Sequence, residues 1–170
     1  LAARLHVERR ALERADHPHV ARILDAGHTP SGLPYLVMEY VEGAPITTWC
    51  AREGLGVVER VRLFLGVVDA VQHAHRRGVI HRDLKPANVL VGEVAGRPSP
   101  RVLDFGIAKP IEGAFGEDSP PTLGLPMGTP AYMAPEQTGL GPVDTRADVY
   151  ALGAVLYELV AGRPPLDVAD

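Results

Sequence analysis

Two short polar segments carry side chains that could do chemistry, and the first reads HRDLKPAN over residues 81–88. The carboxylate of Asp83 can accept a proton, and Lys85, two residues later, carries a compact positive charge. Asn88 and the aspartate of a later DFG segment, Asp104, offer hard oxygen atoms of the kind that bind Mg²⁺. The sequence therefore combines a proton acceptor, a cation and a pair of metal ligands.

Two further segments follow in order along the chain. Residues 128–136 read GTPAYMAPE, and Asp148 stands near the start of the apolar stretch 145–161. Four motifs in this order and spacing resemble those of the eukaryotic-type (Hanks-type) Ser/Thr protein kinases, in particular the bacterial members. The resemblance covers essentially the whole chain. It implies an α+β, bilobal, protein-kinase-like fold.

The resemblance implies transfer of the γ-phosphate of ATP to Ser and Thr hydroxyls of proteins. Phosphoryl transfer needs a positioned hydroxyl and a metal-clamped triphosphate, with little covalent chemistry from the protein. By this resemblance Asp83 orients the substrate hydroxyl, and Lys85 neutralises the transferred phosphate. Asn88 and Asp104 hold Mg²⁺, with Mn²⁺ as an alternative. Lys85 within the DLKPAN string also favours Ser/Thr over Tyr specificity.

The resemblance also assigns the nucleotide-binding residues. Glu8 matches the helix glutamate that pairs with a strand lysine, although an ordinary exposed helical Glu is the alternative interpretation. Met38 matches the gatekeeper, and core packing alone would also explain it. Glu39 and Val41 offer the backbone carbonyl and N–H groups that bind adenine. The remaining residues of the predicted nucleotide site are Lys85, Asn88, Leu90 and Asp104.

Regulation is predicted from Arg82, because an arginine beside the proton acceptor can pair with a phosphate on the loop of residues 107–127. Ser119 and Thr122 are the only hydroxyl residues of that loop before Thr129. The alternative is that both are simply polar loop residues. By resemblance, Thr129 bonds the catalytic aspartate and lysine.

Two residues have structural roles by resemblance. His81 is expected to pack with Phe105 in a hydrophobic spine and not to bind metal. Asp148 is expected to hold the backbone at His81 and Arg82.

Composition excludes several classes of protein. The 170 residues are 46% hydrophobic and 22% charged, which is typical of a globular domain. A net charge of −4 gives no reason to expect nucleic-acid binding. The single cysteine, Cys50, cannot form an internal disulfide, and no apolar run approaches the ~18 residues of a membrane span. ATP and Ser/Thr proteins are the expected partners, in the cytoplasm. The oligomeric state and any membrane anchor outside this segment stay open.

The elements that must position these side chains follow from periodicity. Short strands are predicted over 20–25 and 35–38, and a long amphipathic helix over 57–77. The polar residues 92–100 are expected to form a hairpin connection between two short apolar strands. The stretch 145–161 is apolar nearly all round and predicts a buried helix.

The predicted organisation is a partial kinase domain over residues 1–170. Residues 1–38 form a small-lobe remnant, 39–43 a hinge, and 44–170 an incomplete large lobe. No glycine-rich loop or strand lysine precedes Glu8. The chain alone is therefore expected to be unstable and inactive, as a piece of an active kinase.

Two other functions are weighed against this one. A pseudokinase-type binding scaffold is opposed by the intact Asp83, Asn88 and Asp104. A small-molecule phosphotransferase of the aminoglycoside type is opposed by Lys85 and by the complete segment 128–136.

Overall fold

The computed structural model describes most of the chain, and the fold is mixed helix and sheet. The described residues are 16–32, 34–105, 130–138 and 143–166. Four of the residues singled out above lie outside these ranges: Glu8, Ser119, Thr122 and Thr129.

The first sheet has two antiparallel strands, β1 (Ile23–His28) and β2 (Pro34–Met38). β1 begins three residues later than predicted. Val20 instead forms a parallel bridge to Val102, and the Ala21 amide donates to the Val102 carbonyl at 2.9 Å. The start of the predicted strand therefore ties this sheet to the second one.

The second sheet contains β3 (Ala44–Pro45), β4 (Val89–Val94) and β5 (Arg97–Val102), all antiparallel. The predicted hairpin is confirmed, but its strands are longer than expected, because both continue through residues 92–100 to a two-residue turn. Both turn residues, Ala95 and Gly96, have positive φ (51° and 72°), as a tight hairpin requires. Polar strand residues are tolerated there because 93–98 are exposed.

Three α-helices complete the described architecture: α1 (Ile46–Arg52), α2 (Val57–His75) and α3 (Thr145–Ala161). α2 ends two residues before the predicted position, since the turn tightens: the Gly78 amide donates to the His75 carbonyl at 2.9 Å. Gly78 adopts φ 76°, the left-handed conformation that glycine accepts without strain. No helix in the described ranges is long and apolar enough to cross a membrane.

The core lies where α2 packs against α3 and β5. The buried residues of α2 recur at helical spacing: Leu63, Phe64, Val67, Ala70, Val71 and Ala74. α3 buries only one face, which includes Ala151, Val155 and Leu159. The predicted burial of α3 is confirmed for this face, which contacts the other described elements. Its opposite face exposes apolar side chains: Val149, Tyr150, Tyr157 and Val160.

Candidate functional site

The loop that carries Asp83 is anchored to α3 by Asp148, a fully buried residue of that helix. Asp148 Oδ2 accepts from the His81 amide and Oδ1 accepts from the Arg82 amide, both at 2.8 Å. This is the contact that the resemblance implied. His75, at the end of α2, also donates from Nε2 to Asp148 Oδ2 at 2.7 Å. α2, α3 and the loop are thus joined at one carboxylate.

His81 is a buried packing residue, as expected. Its ring lies 4.9 Å from the Phe105 ring, centroid to centroid. Nε2 donates to the Leu103 carbonyl at 2.8 Å, while Nδ1 accepts from the Asp83 amide at 3.3 Å. Burial lowers the pKa of His81 below its ordinary value. The neutral ring with its proton on Nε2 satisfies both of its hydrogen bonds.

The three side chains predicted to be catalytic lie together. Lys85 Nζ donates to Asp83 Oδ2 at 2.9 Å, and Asn88 Nδ2 donates to the Asp83 backbone carbonyl at 2.8 Å. The Asp83 side chain keeps 40% of its exposure, and that of Lys85 keeps 24%. A substrate can therefore reach a carboxylate that is oriented from within by its own loop.

Asp104 lies next to the loop that carries Asp83, Lys85 and Asn88. The Leu103 amide donates to the Asn88 carbonyl at 2.9 Å, which holds the residue before Asp104 beside the loop. Asp104 itself is exposed and has φ 55°. Among the described residues, none donates a hydrogen bond to Asn88 Oδ1 or to the Asp104 carboxylate. These oxygens are available as hard ligands, which fits the predicted pair of metal ligands.

The predicted nucleotide residues of the hinge lie at the end of β2. Met38 pairs with Ile23 in the first sheet. It lines a small cavity with Asp104 and Phe105 among the other walls. Leu90 is half-buried in β4, opposite Arg101. Core packing and a place at the nucleotide site are therefore compatible for Met38.

The side chain and the backbone amide of Glu39 form hydrogen bonds within the protein. Its amide donates to the Arg22 carbonyl at 2.8 Å, and its Oε1 accepts from the Arg22 amide at 2.9 Å. The same oxygen accepts from Arg101 Nη1 at 2.6 Å. Neither side chain of this ion pair is more than 27% exposed. Val41 is half-buried. Sequence reasoning missed Arg101, which stands in a polar stretch with no motif.

A second surface faces the loop from the segment 130–138. Gln137 Nε2 donates to the Arg82 carbonyl at 2.6 Å, and its Oε1 accepts from the Ala134 amide at 3.0 Å. Tyr132 donates its hydroxyl to Glu158 of α3, and burial together with this bond raises the pKa of Tyr132. A shallow cavity beside Asp83 is lined by residues of both segments: Arg82, Asp83, Leu84, Tyr132, Met133 and Gln137. The role of Gln137 was not predicted.

Comparison with known proteins shows similarity to protein kinases along almost the whole chain. The family model described as protein kinase domain matches residues 2–170. The serine/threonine-protein kinase Pkn1 of Myxococcus xanthus is 43% identical over 168 residues, which cover 98% of this chain and 24% of that protein. The DNA damage-responsive serine/threonine-protein kinase RqkA of Deinococcus radiodurans is 41% identical over 163 residues, which cover 93% and 23% of the two chains.

Among solved structures, the PknI kinase domain of Mycobacterium tuberculosis, crystallised as a double mutant, superimposes with a TM-score of 0.73. It is 32% identical, and the match covers 98% of this chain and 60% of that one. The chain spans about a quarter of the length of the two curated relatives described above.

Proposed function

The chain belongs to the protein kinase domain family, and we propose that its protein transfers the γ-phosphate of ATP to Ser and Thr hydroxyls of proteins. The observation that supports this most is the partly exposed Asp83 carboxylate, 2.9 Å from the Lys85 ammonium on a loop anchored by Asp148. Kinases of this family use ATP and a divalent metal. When bound, ATP supplies the phosphoryl group, and the metal ion neutralises charge on its phosphates.

In the proposed step the substrate oxygen forms a bond to the γ-phosphorus. The bond from that phosphorus to the bridging oxygen breaks, and ADP leaves with the electron pair. The hydroxyl proton passes to the Asp83 carboxylate, whose exposed side faces the substrate. Lys85 stabilises the negative charge of the transferred group, since a compact ammonium acts as a point charge on phosphate.

The remaining site residues would bind the nucleotide and its metal. Asn88 Oδ1 and the Asp104 carboxylate would hold Mg²⁺ or Mn²⁺. The backbone of Glu39 and Val41 would bind adenine, with Met38 as the gatekeeper. The other proposed nucleotide residues are Glu8, Lys85 and Leu90.

The proposed organisation follows the sequence prediction: 1–38 belong to the small lobe, 39–43 to the hinge and 44–170 to the large lobe. The separation of the described strands into two sheets, on either side of the hinge, supports it. The proposed use of ATP also agrees with the predicted cytoplasmic location.

Regulation through Arg82 is also proposed. The Arg82 side chain is exposed, so it can pair with a phosphate. Ser119 and Thr122 are the proposed acceptors of that phosphate. Thr129 is proposed to bond the catalytic aspartate and lysine.

The test uses the protein expressed from its complete gene, with labelled ATP and Mg²⁺. We expect label in a generic Ser/Thr protein substrate and none in aminoglycosides or other small alcohols. Asp83→Asn should lower kcat by about 10²–10⁴-fold, the usual contribution of a positioned proton acceptor. Asp69→Asn is the matched control, because Asp69 is exposed on α2 and bonds His17. Full activity of Asp83→Asn, or transfer only to small alcohols, would contradict the proposal.

A further inference from the structure

Arg82 has an unusual backbone conformation for a residue with a side chain. Its φ is 67°, in the left-handed region that side chains other than glycine disfavour. Such a conformation persists only where the surroundings hold it. The Arg82 amide is held by Asp148, and its carbonyl accepts from Gln137 Nε2 at 2.6 Å.

The peptide plane between Arg82 and Asp83 is held at both ends. Gln137 bonds its carbonyl oxygen, and His81 Nδ1 accepts from its N–H at 3.3 Å. This plane sets the direction in which the Asp83 Cα–Cβ bond leaves the backbone. Rotation of the plane would turn the carboxylate away from its present position.

Gln137 is itself oriented on both sides of its amide group. Oε1 accepts from the Ala134 amide, which leaves Nε2 directed at the loop. The surrounding segment is joined to α3 through the hydrogen bond between Tyr132 and Glu158. The donor that meets the Arg82 carbonyl is thus fixed relative to the helix that also carries Asp148.

We propose that Gln137 is a positioning residue, which holds the peptide plane between Arg82 and Asp83 so that the Asp83 carboxylate faces the substrate hydroxyl. This inference rests on the proposed function. Gln137 acts through the backbone and touches neither nucleotide nor metal. Its loss should therefore affect the rate of the chemical step and leave nucleotide binding unchanged.

The test compares substitutions at the only two glutamines of the chain, Gln137 and Gln72. Gln72 is exposed on α2 and bonds Arg76, so its variants control for the chemical change. Gln137→Met removes both hydrogen bonds at similar volume. We expect kcat to fall about tenfold, within the range that small misplacements of catalytic groups produce, with the KM for ATP changed less than twofold. Gln72→Met should retain wild-type kinetics.

Gln137→Glu separates donor from acceptor. The ionised carboxylate keeps the bond from the Ala134 amide but has no proton for the Arg82 carbonyl. Protonation at lower pH restores an O–H donor. The kcat of Gln137→Glu, divided by the wild-type kcat at the same pH to cancel the pH dependence of the unmodified protein, should therefore rise as pH falls. The same ratio for Gln72→Glu should not change with pH.

A measurement that needs no activity completes the test. Hydrogen exchange of the peptide covering residues 81–85 should be faster in Gln137→Met than in wild type or Gln72→Met, while exchange in α2 is unchanged. Wild-type kcat together with wild-type exchange in Gln137→Met would overturn the inference. A wild-type protein without phosphotransfer would overturn the proposed function, and the exchange data would still decide the role of Gln137.

Discussion

Removal of the Asp148 carboxylate should destabilise the protein more than any other single change of a charged side chain among the described residues. Asp148 is fully buried and accepts three hydrogen bonds: two from the backbone of His81 and Arg82, and one from His75. A buried donor left without its partner costs about 1–3 kcal/mol. His75 keeps 18% of its side-chain exposure, so water can replace part of its bond.

These contributions give a loss of about 3–5 kcal/mol for Asp148→Ala, which is the scale observed when a buried charged network is broken. Asp148→Asn should cost about 1–3 kcal/mol, because at least one buried donor loses its acceptor. The amide oxygen can keep either the Arg82 bond or the bonds from His81 and His75, and the NH₂ group then faces a donor on the other side. The loss is a large part of the roughly 5–15 kcal/mol that stabilises a typical domain.

The assay is equilibrium unfolding in urea, compared with Asp144→Asn as the matched control. Asp144 is the N-cap of α3, where its side chain accepts from the Arg146 amide. Asparagine is an equally good N-cap residue, and the ion pair that is lost with Arg146 is solvent-exposed, so this variant should unfold close to the wild-type midpoint. If Asp148→Asn unfolds at the same urea concentration as Asp144→Asn, the anchoring of the loop by Asp148 is refuted.

Three further predictions concern other parts of the molecule. Glu39→Gln and Arg101→Met should each raise the KM for ATP, and a double-mutant cycle should give a coupling free energy of about 0.5–3 kcal/mol between the two residues. Additive effects would exclude a contribution from the ion pair between Glu39 and Arg101. The ring signals of His81 should titrate below pH 6.5 in an NMR titration, because burial lowers the pKa of this residue by favouring the neutral form. The stability that this group contributes is then lost as pH falls below 6.5, and titration above pH 6.5 would contradict the prediction. Gly92→Ala should lower the urea midpoint well below that of Gly153→Ala, since a Cβ at 92 would collide with the Glu42 carbonyl, whereas a Cβ at 153, on the exposed side of α3, meets nothing within 4 Å. Equal midpoints would count against this close approach.

The proximity of the proposed catalytic side chains could be predicted from sequence because their contacts are local. Asp83, Lys85 and Asn88 are within six residues of one another, so the order of residue types already implies their proximity. The helices α2 and α3 were predicted for a similar reason, since each is a continuous apolar-rich segment, and in α2 the apolar spacing also indicates which face is buried.

The residues that support the site could not be predicted in this way. Gln137 bonds a residue 55 positions away, Arg101 one 62 positions away, and His75 one 73 positions away. A glutamine, an arginine or a histidine is compatible with many surface positions, and only the folded chain selects the partner. The strands of the hairpin were predicted too short for another reason: residues 93–98 are exposed, so the strands continue there without apolar alternation, and the turn residues determine the pairing.

At Arg82 and Asp104, the left-handed backbone conformation lowers the stability of the fold, while the side chains are proposed to serve the function. Glycine would relieve the strain at both positions, so selection for a more stable fold alone would favour it there. Each such change would remove a charged group beside the proposed reaction centre. Ala95→Gly in the exposed hairpin turn would relieve the same strain and leave every proposed site residue in place. A library of variants selected only for thermal stability should therefore accumulate glycine at positions 82 and 104 and lose activity. Depletion of the same two substitutions under selection for activity would show that the site retains its strained residues at the expense of stability.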